Sequence, residues 1–593
     1  MITKERIIRP FRIGLGHLSE RNIILVLSLI VGSVSAFAAI LLKNAVFYTH
    51  QLLKNAFPEN EFNLLYLAFP IIGITLTVLI IKFFIKDDLS HGVTKILYAI
   101  GRKNGKIKPH HTYSSLITST LTVGFGGSVG LEAPIALTGS AIGSNLGNFF
   151  HLSTKNLVLL TACGSSAAVA AIFNAPIAGM LFAIEILMLD MTTAALVPLL
   201  LSVVTATSLS YLFLGKDVMF NQIPPDLDFS MGNMGFYVIL GVLTGLISVY
   251  FVRTQDWVGR MANRFFPKPA WRIVIAGGLL SALIFVFPTF FGEGYDMLAD
   301  IMDGNGQVVF SNSPLYMLKF NPVTLILFLV ALLLLKPFAT AFTNAAGGIG
   351  GVFAPSLFVG GITGFILITF CNTFFGLELS VINFTLAGMA GVMGSIMKAP
   401  LMAIFLIAEI SGGYQLLIPL ILCAVVSYLI FYSFEKYSVY TKPLAKQGDL
   451  ITHDKNKQAL TQLHVTECIE HDFATISPNA TLGELTHVIE HSSRNIFPLV
   501  DENRIFYGIV ILDDVRQLMF HPENYALHID EYAFIPSPSI DPEESMFSVV
   551  QKFESSGNYN LPVVDKEGRY HGFISRANVY TKYREFIEEV SED

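Results

Sequence analysis

The sequence predicts an all-α polytopic membrane domain with an internal repeat and broken helices, followed by a smaller α/β tail. Three observations carry this expectation. Of the 593 residues, 53% are hydrophobic and only 14% charged, with a mean hydropathy of +0.58, whereas a soluble chain carries about 25% charged residues. Two glycine-rich stretches of equal length, Gly126-Gly127-Ser128-Val129-Gly130-Leu131-Glu132-Ala133-Pro134 and Gly347-Gly348-Ile349-Gly350-Gly351-Val352-Phe353-Ala354-Pro355, lie 221 residues apart (126 to 347). The composition then changes near Lys446, beyond which a polar segment leads into sequence of ordinary charge density.

Apolar runs at 23–42, 64–84, 236–252, 323–335 and 416–432 are candidate spans. Some reach the ~20 residues a bilayer requires and others fall short, so hydropathy alone does not count the helices. The first run is read as a retained helix, because no small-residue cleavage site follows it. Before it, Lys4, Arg6, Arg9, Arg12 and Arg21 stand against Glu5 and Glu20. This excess predicts that segment 1–22 lies in the cytoplasm of a plasma (inner) membrane. The four cysteines, Cys163, Cys371, Cys423 and Cys468, show no metal-ligand spacing and no disulfide framework. The net charge of −7 argues against a nucleic-acid partner. Neither a helical H-E-x-x-H nor a P-loop is present, and no enzymatic reaction is indicated.

A true repeat predicts a second match at nearly the same distance. Asn174-Ala175-Pro176 followed by Glu185, and Lys398-Ala399-Pro400 followed by Glu409, supply it at an offset of 224 (174 to 398). Each pairs Ala-Pro with a glutamate nine residues after the proline. The expected layout is a membrane domain at 23–445 with repeats at about 23–215 and 235–440, a linker at 446–464 and the tail at 465–587. Duplications of this kind accompany ion pathways built from broken helices at the repeat interface. The expected repeat is inverted, which requires an odd number of spans per half; the apolar runs do not settle that number.

Glycines followed by Ala-Pro and a helical pattern place proline in the first turn, where its missing N–H costs nothing. The helix N-terminus then offers free amides and a dipole end of about half a charge to an anion. Two converging termini attract an anion without the full positive charge that would hold it too tightly. Glu132 can occupy such a site when ionised and leave it when protonated. A carboxylate that only caps the helix fits the same stretch.

These residues bring the chain to a known family. It resembles the CLC chloride channels and chloride/proton exchangers over essentially its whole length. Gly130-Leu131-Glu132-Ala133-Pro134 is similar to the family's G-(R/K)-E-G-P motif, with Leu131 for the basic residue and Ala133 for the second glycine. Gly351-Val352-Phe353-Ala354-Pro355 is similar to G-x-F-x-P, and Ser90-His91-Gly92-Val93-Thr94 to a diverged G-S-G-I-P. The resemblance implies that Glu132 is the gating glutamate. It further implies an anion site formed by the amides of Val352 and Phe353 and the Tyr440 hydroxyl, with Gly130, Leu131, Ser90 and His91 around it. A tyrosine near the end of a membrane domain also serves as an interfacial anchor. His91 stands where the family has its anion-contacting serine, which bears on selectivity; Tyr440 and Phe353 favour chloride. Ile186 stands where family exchangers commonly carry an internal proton-feeding glutamate, and Glu185 corresponds to a structural carboxylate. Voltage- or pH-gated conduction and proton-coupled exchange both remain open, and the resemblance implies a homodimer with one pathway per subunit.

In the tail, Asn495-Ile496-Phe497-Pro498-Leu499-Val500-Asp501 and Asn560-Leu561-Pro562-Val563-Val564-Asp565 are each followed by a glycine and an apolar pair. This resembles a tandem pair of CBS modules. Such pairs often bind adenine nucleotides through a Ser/Thr and an Asp three residues on. Ser575 with Asn578, and Ile511 with Asp514, match that pattern incompletely, so no cofactor is required and a structural or dimer-stabilising pair without nucleotide is the favoured expectation. Two other functions compete. A CBS-regulated divalent-cation transporter needs several pore carboxylates, and this chain offers chiefly Glu132, Glu185 and Glu409. A nucleotide-sensing receptor has no use for duplicated broken helices.

Overall fold

The computed structural model describes residues 20–55, 67–89, 92–215, 230–303, 306–311, 313–315, 322–447 and 463–591. Two compact units divide between Gln447 and Gly448.

The regular elements of the first unit are helices among the described residues. Its first half contains α1 (Glu20–Asn55), α2 (Phe69–Ile80), α3 (Gly92–Arg102), α4 (His111–Gly124), α5 (Glu132–Phe149), α6 (Thr154–Phe173), α7 (Pro176–Leu181) and α8 (Thr193–Leu214). Then follow α9 (Met234–Phe265), α10 (Pro269–Val286), α11 (Tyr295–Met302), α12 (Pro322–Ala345), α13 (Phe353–Phe375), α14 (Val381–Met397), α15 (Pro400–Ile410), α16 (Leu417–Phe434) and α17 (Thr441–Gln447). Among the described residues, eight helices are long and apolar enough to cross a membrane, while α7, α14 and α15 are shorter. Several long helices, such as α6 and α13, are rich in Gly, Ala, Ser and Thr and are mostly buried by their neighbours. Small residues let their backbones approach closely.

The repeat is visible in the backbone. Helices α4 to α8 correspond to α12 to α16. Gly126 (φ 95°) and Gly347 (φ 101°) take the same left-handed turn after α4 and α12, and Asn174 and Lys398 (both φ 55°) take it after α6 and α14. A Cβ on Gly139 would meet the Gly164 carbonyl oxygen at 2.1 Å, and one on Gly360 would meet that of Gly388 at 2.3 Å. These pairs keep the offsets 221 (139 to 360) and 224 (164 to 388).

Reciprocal capping sets matching segments of the two halves antiparallel, as an inverted repeat requires. Glu409, ending α15, accepts hydrogen bonds from the amides of Ile177 and Ala178 at the start of α7, both at 2.9 Å. Glu185, just after α7, accepts from Leu401 and Met402 at the start of α15, at 3.2 and 2.7 Å. Each carboxylate at one C-terminal end meets the other segment's N-terminus, which requires the two segments to run antiparallel. Glu185 is thus a structural carboxylate, as the resemblance implied.

The second unit contains α18 (Leu482–Glu490), β1 (Ile496–Val500), β2 (Phe506–Ile511), α19 (Leu512–Val515), α20 (Met546–Ser556), β3 (Asn560–Val564), β4 (Tyr570–Ser575) and α21 (Arg576–Ser591). Strands β1 and β2 form one antiparallel hairpin, and β3 and β4 another. A parallel bridge from Ile476 to Leu499 recurs 64 residues on (476 to 540), from Ile540 to Val563. The two modules pack through buried Phe473, Ile509, Tyr570 and Phe573, with Phe506 stacked on Tyr570 at 5.7 Å. A Thr481–Glu484 capping box starts α18, and the Ser545 side chain caps α20.

Candidate functional site

The twin glycine stretches meet. Gly130 and Gly351 exchange both backbone hydrogen bonds, at 2.9 and 2.7 Å, as an antiparallel bridge. This brings the N-termini of α5 and α13 together at the repeat interface. The first amides to find backbone carbonyls there are those of Ile135 (to Leu131) and Ser356 (to Val352), both at 3.0 Å. The earlier amides of both helices are the donors that a helix leaves unpaired at its start.

Glu132, the first residue of α5, is buried at 3% exposure. Its Oε1 accepts a 2.7 Å hydrogen bond from the Tyr295 hydroxyl. Its Oε2 folds back over Gly130, where a Cβ would stand 2.0 Å from that oxygen, so a larger residue there would displace the carboxylate. The amides of Glu132 and Ala354 direct their dipoles at the carboxylate, yet neither reaches hydrogen-bond geometry with Oε2, which is buried with no hydrogen-bond partner among the described residues. The carboxylate therefore occupies the position between both helix N-termini that suits a small anion.

Val352 precedes the first turn of α13, and Phe353, buried, stacks on Phe173 at 5.3 Å with an interplanar angle of 26°. A cavity of about 530 Å³ approaches this point; its walls include Ala133, Pro134, Gly351, Val352 and Tyr440. Tyr440 is buried, and its carbonyl accepts a hydrogen bond from Thr94 at 3.0 Å. That burial sets aside the interfacial-anchor reading of this residue. The walls also carry Arg260, Arg272, Lys442 and Lys446, with Asp256 as their acidic member. Lys442 pairs with Asp256 at 2.7 Å and with Glu435 at 2.8 Å. Ser90 and His91 lie outside the described residues, so their part in the site has no structural account. Ile186 is buried and apolar.

Sequence reasoning missed three residues. Glu293 comes from the turn before α11 and Tyr295 is the first residue of α11, and the Leu131 amide donates to Glu293 Oε1 at 3.3 Å. Lys336, fully buried in α12, donates to Ser128 Oγ at 2.8 Å and lies over the Phe358 ring at 4.7 Å. The available signal was an ionisable residue inside or beside an apolar run.

In the tail, Ser575 donates to a Glu470 carboxylate oxygen, and the Asn578 side chain donates to the Cys468 carbonyl at 3.1 Å. Asp514 is exposed. Arg494 binds Asp472 and Glu470, each at 2.7 Å, and lies over Phe473 at 4.6 Å. All four cysteines are buried and free.

Comparison with known proteins follows the same outline. The family profile described as "Voltage gated chloride channel" matches residues 73–432. The chain belongs to the voltage-gated chloride channel (CLC) family. The CBS domain profile matches residues 465–521 and 530–585. The ClcB-like protein of Ralstonia nicotianae is 30% identical over 390 residues, covering 65% of this chain and 86% of its own. The chloride channel protein CLC-e of Arabidopsis thaliana is 26% identical, covering 68% of this chain and 62% of its own. Among solved structures, a slow cyanobacterial Cl−/H+ antiporter superposes with a TM-score of 0.60 at 23% identity, over 72% of this chain and 98% of its own. A eukaryotic CLC transporter superposes with 0.62 at 16% identity, over 94% and 99%. Membership in this family, and the tying of Glu185 and Glu409 to helix ends, remove the divalent-cation alternative: those carboxylates are spent on backbone amides. The CLC chain is an integral membrane protein and not an enzyme.

Proposed function

We propose that this chain carries chloride across a membrane through the α5/α13 junction, with Glu132 as its gate. The observation that supports this best is the placement of the Glu132 carboxylate between two helix N-termini, an anion mimic in an anion's place. Basic residues on the cavity wall gather anions electrostatically. The Tyr440 hydroxyl and the amides of Val352 and Phe353 then replace part of the chloride hydration shell. Protonation of Glu132 removes its attraction to the helix dipoles and frees the position.

Passive conduction is the first reading, because Ile186 stands where family exchangers commonly carry a proton-feeding glutamate and cannot itself carry a proton. Proton-coupled exchange is the second, supported by the fold shared with a Cl−/H+ antiporter and by a gate that itself binds a proton. The N-terminal positive charges favour a cytoplasmic N-terminus and tail in the plasma (inner) membrane. By the family resemblance, the chain pairs with a second copy, one pathway in each. Tail binding of an adenine nucleotide is the weaker part of this reading, since Ser575 and Asn578 already have partners of their own.

Chloride uptake into reconstituted vesicles tests the reading, and uptake no greater than in protein-free vesicles refutes it. A reversal potential measured under opposing chloride and proton gradients separates the two modes. It follows chloride alone for conduction and shifts with the proton gradient for exchange.

A further inference from the structure

The turn from Gly292 to Tyr295 grips two consecutive residues of the gate from outside the repeat pairing. Glu293 Oε1 accepts from the Leu131 amide at 3.3 Å, while the Tyr295 hydroxyl donates to Glu132 Oε1 at 2.7 Å. Glu132, Glu293 and Tyr295 are not among the residues that line the cavity.

Charges act on Glu293 from several elements. Glu132 faces it from α5 and Asp296 from the first turn of α11, Lys43 of α1 and Lys336 of α12 are the nearby cations, and His50 of α1 packs against Phe291 and Gly292 beside it. Lys336 is held by Ser128 Oγ and by the rings of Phe358 and Phe290, at 4.7 and 5.6 Å. Glu132 is buried and Glu293 half-buried, so the two neighbouring carboxylates repel when both are ionised.

We propose that Glu293 is a second proton-binding carboxylate of the pathway, and that Glu293 and Tyr295 together set the pH at which Glu132 leaves the anion position. This rests on the reading of Glu132 as the gate. Glu293 repels the ionised gate and favours its protonation. The Tyr295 hydroxyl donates to the ionised gate and favours its staying in place. The proton reaches Glu132 from the Glu293 side.

Chloride flux from vesicles of the full chain, measured across pH, tests this. Glu293→Gln keeps an oxygen for the Leu131 amide and removes only the charge, so the midpoint of activation moves to lower pH, by about one unit. Tyr295→Phe moves it to higher pH, and Glu293→Asp, which keeps the charge, stays near the wild type. Glu293→Gln with an unmoved midpoint, whether or not the flux falls at every pH, overturns the proposal, as does wild-type flux that ignores pH. Glu132→Gln separates the two failures. If it flattens the profile while Glu293→Gln changes nothing, only the role of Glu293 is lost; if Glu132→Gln itself leaves a pH-dependent profile intact, the gate reading falls.

Discussion

Replacing Glu409 by alanine removes the common acceptor of two amides, those of Ile177 and Ala178. Hydrogen bonds to a charged acceptor are worth about 1.5–3 kcal/mol each, so the pair sets an upper bound of about 3–6 kcal/mol. The carboxylate is half-buried, and solvent that reaches the freed amides recovers part of this, leaving about 2–4 kcal/mol. For a body of this size each kcal/mol is worth on the order of 2 °C or less, so thermal unfolding in detergent should fall by several degrees. Glu409→Gln keeps one acceptor and should lose about half as much. Glu185→Ala should match Glu409→Ala, because the caps are related by the repeat. An unchanged unfolding temperature together with abolished ion flux in Glu409→Ala would refute the capping argument, since the carboxylate would then be serving ions rather than a helix end.

Gly360→Val puts a side chain where a Cβ already meets the Gly388 carbonyl at 2.3 Å, so α13 and α14 must separate; size-exclusion chromatography should show aggregated or absent protein, and Gly139→Val should do the same in the first half. Tyr440→Phe removes a hydroxyl from the cavity wall without changing the packed ring, and should preserve unfolding temperature while weakening chloride selectivity over larger anions in reversal-potential measurements. Lys442→Ala leaves Asp256 and Glu435 without this cation and should lower chloride flux, with a larger effect at low ionic strength than at high. Adenosine triphosphate should shift the unfolding temperature of the full chain little, and any shift that occurs should vanish in Asp514→Ala if the tail uses that residue.

The gate was legible because its information is local and duplicated: Glu132 and Phe353 occupy matching places in two nine-residue stretches, and each stretch predicts the other. The same holds for Glu185 and Glu409, although sequence could not show that each caps the other's segment. The Gly292–Tyr295 turn had no such signal. Glu293 and Tyr295 sit in a single turn about 160 residues beyond the gate and have no twin, so Glu-Gly-Tyr there reads as an ordinary bend. Lys336 follows an apolar run directly and resembles an interfacial anchor, whereas it is fully buried. Helices α6 and α13 escaped the apolar runs because their glycines, serines and threonines dilute hydropathy. Those residues are where helix packs on helix. The basic cavity wall draws Arg260, Arg272 and Lys442 from separate elements, a convergence that only the fold produces.

The central claim is that the Glu132 carboxylate fills the place of the transported anion, and the most direct measurement is chloride efflux from vesicles containing Glu132→Gln, followed across pH beside the wild type. The uncharged side chain has no full charge to hold it against the two helix dipoles, so efflux at neutral pH should equal or exceed the wild type's and should no longer vary with pH. Efflux from Glu132→Gln that keeps the wild-type rate and the wild-type pH dependence would contradict the account.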